Sequence, residues 1–129
     1  MAPAASRLRL WAPVAVWMAV IFAASSRPVP AAVAQVPDWI PHTVEYAVLA
    51  VLACRALAGG LHAPVGPAVA AGAVALAFLY GASDELHQSF VPGRFSDAAD
   101  LVKDLAGAAV GGLACALPRG DGAPRRKAA

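Results

Sequence analysis

Polar side chains recur at helical spacing in this otherwise apolar sequence. His42, Glu45 and Tyr46 stand at positions i, i+3 and i+4, and Asp84 and Gln88 stand four residues apart. Residues at these spacings share one face of an α-helix. Each stretch therefore predicts a helix with a polar face.

A third stretch adds glycine to the pattern. Asp97, Asp100, Asp104, Gly107 and Gly111 follow one another at steps of 3, 4, 3 and 4 residues. The glycines have Gly-x-x-x-Gly spacing, which lets the backbone of another helix approach closely. This face is therefore predicted to turn toward the other helices.

Together the polar faces predict an acidic pocket with Arg94 as its cation. A guanidinium matches a phosphate or carboxylate with paired donors. Glu45, Asp84 or Glu85 would act as a base or as a hydrogen-bond acceptor. The candidate pocket residues are His42, Glu45, Tyr46, Asp84, Glu85, Gln88, Arg94, Asp100 and Asp104.

The same residues also fit a purely structural role. Asp100 or Asp104 could pair with Arg94, Glu85 could cap a loop, and His42 could bond a carboxylate. Buried polar groups in membranes often hold helices together in this way. Whether the pocket serves an enzyme stays open, and the sequence identifies no catalytic residue.

A metal site and a serine nucleophile have weaker support. The sequence has no His-Glu-x-x-His pair, and the run 84–88 has no recognised metal spacing. A Gly-x-Ser-x-Gly elbow is absent as well. We predict no metal and no cofactor, and we expect His62 and His87 to be exposed without a role.

The elements that carry these residues are predicted to lie in a membrane. Of the 129 residues, 60% are hydrophobic and 14% are charged, against roughly a quarter charged in an average soluble chain. The basic residues sit mostly at the two ends without a nucleic-acid-binding motif, which argues against nucleic acid as a partner. Cys54 and Cys115 stand inside apolar runs and are predicted to be buried packing thiols.

Four apolar segments predict an all-α membrane protein, a bundle of four transmembrane helices. About 20 residues cross a hydrocarbon core of about 30 Å, and the first segment is near the lower limit. The predicted helices are 10–26, 39–58 capped by Asp38, 63–83 continuing through 90, and 97–117 capped by Ser96. The predicted layout is a basic segment 1–9, a membrane domain 10–117 and a basic, disordered tail 118–129.

A cleaved signal peptide is the alternative for the first segment. A basic start, an apolar core and Ala32-Val33-Ala34 fit that pattern too. The length of the apolar core and the bulky Trp11 and Trp17 favour a span that is retained.

The charge distribution predicts that both termini are cytoplasmic. With four spans, seven Lys and Arg residues fall on the side of the termini and three on the other, which accounts for all ten. Lys and Arg favour the cytoplasmic side of a membrane. Seven of the eight acids fall on the opposite side, so the pocket is predicted to face outward.

Two spans are too short to keep all of their charges in water. Glu45 and Arg55 are separated by about 15 Å of helix axis, half of the hydrocarbon thickness. Arg55 is predicted to extend to the inner surface, and Glu45 to lie below the outer surface, facing other helices. Asp104 is likewise predicted at or below the boundary.

These residues resemble the VanZ-like family of bacterial membrane proteins over residues 10–117. Trp39 and Asp104 stand where members often carry Lys and Asn. Ser25-Ser26-x-Pro28 is similar to the family's beginning, which favours a retained first span. The resemblance otherwise rests on Asp38-x-x-x-His42-x-x-Glu45-Tyr46-x-x-Leu49, Asp84-Glu85-x-x-Gln88-x-x-x-Pro92-Gly93-Arg94 and Asp100-x-x-x-Asp104-x-x-Gly107-x-x-x-Gly111.

The resemblance implies a multi-pass protein of the bacterial cytoplasmic membrane. The family's founding member is linked to low-level resistance to the glycopeptide teicoplanin. We therefore expect a cell-envelope protein whose outward pocket binds or modifies a lipid-linked or wall-related molecule. The alternative is a non-enzymatic accessory protein whose polar cluster only holds the helices together.

Overall fold

Four α-helices make up the fold. The computed structural model describes residues 4–117, with side chains from residue 7 onward, and contains no strand in that part of the chain. The predicted all-α architecture is confirmed, and the predicted tail 118–129 lies outside the described residues. The helices are α1 (Ala4–Ser25), α2 (Trp39–Ala58), α3 (Pro67–Gln88) and α4 (Ala98–Ala116).

The ends of α2 and α3 follow local backbone preferences. α2 ends at Gly59, whose φ of 83° is left-handed and therefore suits glycine. α3 begins at Pro67 and not at residue 63, because Gly66 is still extended and proline is favoured at the first position of a helix. The prediction of an earlier start for α3 is wrong by one turn.

One predicted helix cap is wrong and the other lacks its side-chain bond. Asp97, and not Ser96, caps α4, since its side chain accepts a hydrogen bond of 2.9 Å from the Ala99 N–H. Asp38 occupies the N-cap position of α2 as predicted, but its side chain accepts no hydrogen bond from that helix. Its carboxylate instead lies 2.5 Å from the Lys103 ammonium on α4, which supplies a full charge in place of a backbone donor.

The helices α2 and α3 form the centre of the bundle. Each packs against the other three helices, whereas α1 and α4 do not touch within the described residues. The α2–α4 crossing is the tightest contact, because a Cβ added at Gly107 or Gly111 would collide with the backbone of Thr43 or Ala47. The close approach predicted from the Gly-x-x-x-Gly face is confirmed, and the partner is α2.

The interior is filled mostly by small side chains. Cys54 and Cys115 are buried and unbonded and pack with Ala53 and Ala73, which confirms the prediction that they are buried packing residues. Larger side chains, among them Ile21 and Tyr46, fill the other half of the core.

Arg55 does not extend to the surface, contrary to prediction. The residue is only 7% exposed. Its Nη1 donates to the carbonyl oxygens of Leu61 and Ala63, at 2.9 and 3.2 Å. The α2–α3 connection folds back over the guanidinium and supplies the acceptors that water would have supplied.

Three helices, α1, α2 and α3, are long and apolar enough to cross a membrane. α4 has 19 residues but carries Asp100, Lys103 and Asp104 in its first two turns. Many large apolar side chains point away from the bundle, including Val16, Val20, Phe22, Leu79 and Leu113. Such extensive exposed apolar surface is typical of a protein solvated by lipid.

Candidate ligand site at one end of the bundle

A cavity of about 650 Å³ opens at the end of the bundle where α1 ends and α2 begins. Its apolar wall comes largely from the α1–α2 connection, through Val29, Val33 and Val36. Its polar lining consists of side chains from all helices but α4, and of Arg94 on the α3–α4 connection. These polar residues are Ser25, Asp38, His42, Glu45, Tyr46, Asp84, Gln88 and Arg94.

Asp84 lies on the cavity wall with its carboxylate held by two donors. The Ser25 hydroxyl donates to Oδ1 at 2.6 Å, and the Gln88 amide donates to Oδ2 at 3.0 Å. Asp84 is 5% exposed, so burial of its carboxylate is compensated by these two hydrogen bonds. The site thus joins the end of α1 to the last turn of α3.

His42 links α2 to α4 through two acids. Its Nδ1 lies 2.8 Å from Oδ1 of Asp104, and its Nε2 lies 3.7 Å from Oδ2 of Asp100. Asp104 is 2% exposed and Asp100 is partly buried, and neither lines the cavity. The imidazole therefore separates these two acids from the cavity. Asp104 therefore has a basic partner of its own.

Gly81 makes room for the buried acid. A Cβ at this position of α3 would lie 2.9 Å from Oδ2 of Asp104 and 3.1 Å from the Tyr46 ring. Tyr46 itself is buried and forms part of the core as well as part of the cavity wall. α3 can pack over both side chains because it has glycine at this point.

A third ionic contact ties α4 to the start of α2. The Lys103 ammonium lies 2.5 Å from Asp38 and 2.6 Å from Asp100. The hydrogen bond from Lys103 holds the pKa of Asp38 below its ordinary value, with a smaller opposing effect of burial. Lys103 thus neutralises part of the acidic charge beside the cavity.

Glu45 and Arg94 line the cavity without partners. Within residues 7–117 the Glu45 carboxylate accepts no hydrogen bond and forms no ion pair, although its backbone carbonyl accepts from Trp17 Nε1 at 2.9 Å. Arg94 pairs with none of the described acids, and its Nε is buried without an acceptor. The structural alternative in which Asp100 or Asp104 pairs with Arg94 is therefore wrong. His42 and Lys103 occupy those acids instead.

Glu85 lies away from the cavity. It is buried, and its Oε1 accepts a hydrogen bond of 2.5 Å from the Asp97 N–H. The contact closes the α3–α4 connection just before α4 begins. This matches the structural alternative considered for Glu85, which was the capping of a loop.

Several contacts at this end have no counterpart in the predicted site. Ser25 and Trp17 reach α3 and α2 as described, and Tyr80 donates to the Met18 carbonyl at 2.5 Å. His87 is not freely exposed as predicted, since its Nε2 lies 3.1 Å from the Ser26 hydroxyl and its ring stacks on Phe22. For Ser25 and Ser26 the sequence did contain a signal. Both are polar residues at the end of an apolar span, which places them at the same end of the bundle as the predicted acids.

The part of the chain that the structure describes contains no group of three or more His, Cys, Asp or Glu residues placed to hold a metal ion. His42 is engaged by Asp104, and Asp84 is engaged by Ser25 and Gln88. The charged groups of the cavity that have no partner among the described residues are the Glu45 carboxylate and the Arg94 guanidinium. This pair suits an organic ligand with both a donor and an anionic group.

The fold and the cavity together define a helical membrane protein with a polar site at one end. A profile of the VanZ/LLP1 family matches residues 10–119, which is most of the chain. The protein therefore belongs to the VanZ family. Comparison with curated proteins and with solved structures gave no match.

Proposed function

We propose that this VanZ-family protein spans the bacterial cytoplasmic membrane four times and binds a lipid-linked or wall-related molecule in its cavity. In this arrangement α4 is the fourth span, both termini are cytoplasmic and residues 10–117 form the membrane domain. The bias of Lys and Arg toward the side of the termini supports the orientation. The cavity then opens to the outer face.

The bonding of the α4 charges supports a fourth span. Asp100, Lys103 and Asp104 all contact residues of α2 or its cap within the protein. Charged groups in a membrane bundle normally face inward and pair with one another. The remainder of α4 is free of charge through Ala116.

Exposed aromatic residues support the placement of the cavity near the headgroups. Trp39, Phe90 and Phe95 are 56%, 78% and 89% exposed and lie at the cavity end of the bundle. Aromatic residues are enriched where a membrane meets water. A ligand could then place its polar part in the cavity while its hydrocarbon part stays beside lipid.

The observation that carries the proposal is that Glu45 and Arg94, which have no partner among the described residues, line the same cavity. Arg94 offers donors to a phosphate or carboxylate, and Glu45 offers an acceptor to a hydroxyl, amide or amine. Val29 and Val33 supply an apolar surface beside them. The ligand class that fits is an amphiphile with an anionic group and at least one hydrogen-bond donor.

Glu45 is the group best placed to act on such a ligand as a base. Its carboxylate reaches the cavity and is not consumed by another protein group, whereas Asp84 and Asp104 are held by neighbours. If the bound molecule is modified, the proton acceptor is Glu45. A role in glycopeptide resistance follows only as a proposal at the level of the family.

The second candidate function is that of a non-enzymatic accessory protein. It is favoured by the number of acids that already have partners inside the bundle, namely Asp84, Glu85, Asp100 and Asp104. Under this proposal Glu45 and Arg94 contribute only to helix packing. Their replacement would then change stability without changing any bound molecule.

Native mass spectrometry of the full chain in mild detergent separates the two proposals. The parent should carry a bound molecule that is lost in Arg94→Ala and in Glu45→Gln. Arg27→Ala is the matched control, because Arg27 is an exposed cation near the same end and does not line the cavity. A folded parent without any adduct, or variants that keep it, would favour the accessory role.

A further inference from the structure

The opposite end of the bundle contains a buried guanidinium that is only half satisfied. Arg55 lies in the last turn of α2 and is 7% exposed. Its Nη1 donates to Leu61 and Ala63, but Nε and Nη2 are both buried without an acceptor. A buried donor without an acceptor is unfavourable, and more so when it is charged. The structure therefore has an incomplete site at this point.

The two unpaired atoms lie on the same edge of the guanidinium. Nε–H and the adjacent Nη2–H point in parallel, and this edge accepts two oxygens of one carboxylate or phosphate. The loop carbonyls occupy only Nη1, which lies in the same plane but on the opposite edge of the guanidinium. The α2–α3 connection thus fixes the group and leaves its two-donor edge buried without an acceptor among the described residues.

The described part of the chain has no acid at this end to serve as the partner. Its acids belong to the cavity half of the bundle or to its connections: Asp38, Glu45, Asp84, Glu85, Asp97, Asp100 and Asp104. At the Arg55 end, α1 instead begins with the exposed cations Arg7 and Arg9. The local charge of the described residues is therefore positive, which favours an anion from outside this part of the chain.

The surroundings of Arg55 fit a lipid better than a free ion. Leu57 and Leu61 are exposed apolar residues on either side of the turn that begins at Gly59. His62 is exposed between the two carbonyls that bond Arg55. A phospholipid would place its phosphate on the guanidinium edge and its acyl chains against the leucines.

We infer that the Nε–Nη2 edge of Arg55 binds the phosphate of a phospholipid in the leaflet at the end where α1 begins. The headgroup enters beneath the α2–α3 connection, which keeps its bonds to Nη1. This site is separate from the cavity and does not depend on what the cavity binds. In the proposed orientation it belongs to the cytoplasmic leaflet.

Lipid retention measured by native mass spectrometry tests the site. The full chain is titrated with phosphatidylglycerol, with diacylglycerol of the same chains and with inorganic phosphate. In an Arg94→Ala background, which removes the cation of the cavity, the protein should retain one phosphatidylglycerol. Arg55→Gln in this background should reduce the affinity about tenfold or more, as expected for loss of a charge-assisted pair. Arg55→Lys keeps the charge without the two-donor edge and should also bind more weakly.

A control variant makes the result specific. Arg9→Gln removes one exposed cation at the same end. This variant should keep the lipid. Equal loss in Arg9→Gln would mean that general charge, and not the buried edge, attracts the lipid, and it would overturn the inference.

Three further results would also overturn it. One is a parent that binds phosphatidylglycerol no better than diacylglycerol. Another is binding of inorganic phosphate in place of the lipid, which would assign the edge to the free ion. The third is lipid binding that appears only in Asp121→Asn, a position outside the described residues, which would make that carboxylate the partner of Arg55.

Discussion

His42 on α2 and Asp104 on α4 face each other with 2.8 Å between Nδ1 and Oδ1. Thr43 follows His42 on α2, and Gly107, whose added Cβ would collide with the Thr43 backbone, lies three residues after Asp104 on α4. The close approach of the two backbones is therefore beside the most buried acid of the described residues. Close packing and charge compensation depend on each other at this crossing.

Replacement of His42 should destabilise the protein more than replacement of Glu45. His42→Ala leaves the buried Asp104 carboxylate without its partner, which should cost about 1–3 kcal/mol or more in the free energy of unfolding. Glu45→Ala removes a carboxylate that has no protein partner within the described chain, so it should have little effect. SDS titration of both variants in mixed micelles measures the difference. Equal effects would contradict the role of the His42–Asp104 contact.

The glycines of α4 should not tolerate a methyl group. Gly107→Ala and Gly111→Ala would force the α2 backbone away, and overpacking of this kind costs about 1–3 kcal/mol. Gly72→Ala is the control, because its added Cβ would make only an ordinary contact of 3.6 Å with Leu57. Thermal melting in detergent should show lower transitions for the first two and an unchanged or higher one for the third. A melting temperature that is unchanged in Gly107→Ala would show that α2 and α4 can separate freely.

The Ser25 hydroxyl should stabilise the bundle through Asp84. Ser25→Ala removes one of the two donors to this buried carboxylate, a loss of about 1–3 kcal/mol. Ser83→Ala is matched in chemistry but removes only a bond from an exposed hydroxyl to its own helix. Unfolding free energies of the two variants should differ clearly. If both variants had the same free energy of unfolding as the parent, Ser25 would not be attaching α1 to α3.

Topology can be read from two exposed positions at opposite ends. In a C54A/C115A background, V33C should react in intact cells with a maleimide that cannot cross membranes. H62C should react only after the cells are permeabilised. Both side chains are exposed, so a difference in labelling reports sidedness and not burial. The reverse pattern would show that the orientation is opposite to the one proposed. Labelling of both residues in intact cells would show that the segment between them does not cross the membrane.

The Asp38–Lys103 pair should respond to acid. Because Lys103 lowers the folded-state pKa of Asp38, the contribution of the pair is present at neutral pH and is lost as the pH falls through that lowered pKa. Lys103→Gln should return the pKa of Asp38 to its ordinary value. Carboxyl carbon NMR of labelled protein in micelles can follow the titration. An unchanged Asp38 titration in Lys103→Gln would show that the contact is absent in solution.

Much of this fold was predictable because lipid imposes simple rules on sequence. The four helices, the inward glycine face of α4 and the burial of both cysteines follow from apolar length and helical spacing. The clustering of acids in one half of the bundle followed from charge counting along the spans. These predictions needed only the identity of each residue and its position on a helix.

The pairing of the polar residues was not predictable in the same way. The structural alternative paired Arg94 with Asp100 or Asp104, but His42 on α2 contacts Asp104, and Lys103 on α4 itself contacts Asp100. Arg55 was expected to reach water, but the α2–α3 connection folds over it. Which donor reaches which acceptor depends on helix rotation and on loop path, and helical periodicity alone contains neither.

The attachment of α1 has a consequence for how the protein is made. Its polar contacts are to Glu45, Tyr80 and Asp84, which follow their α1 partners in the chain by 28, 62 and 59 residues. Because α1 precedes α3 in the chain, two of its three anchors do not exist until α3 has been synthesised. During that interval the Trp17 indole and the Ser25 hydroxyl have at most one of these partners between them. The first span is thus suited to enter the membrane alone and to be fastened last.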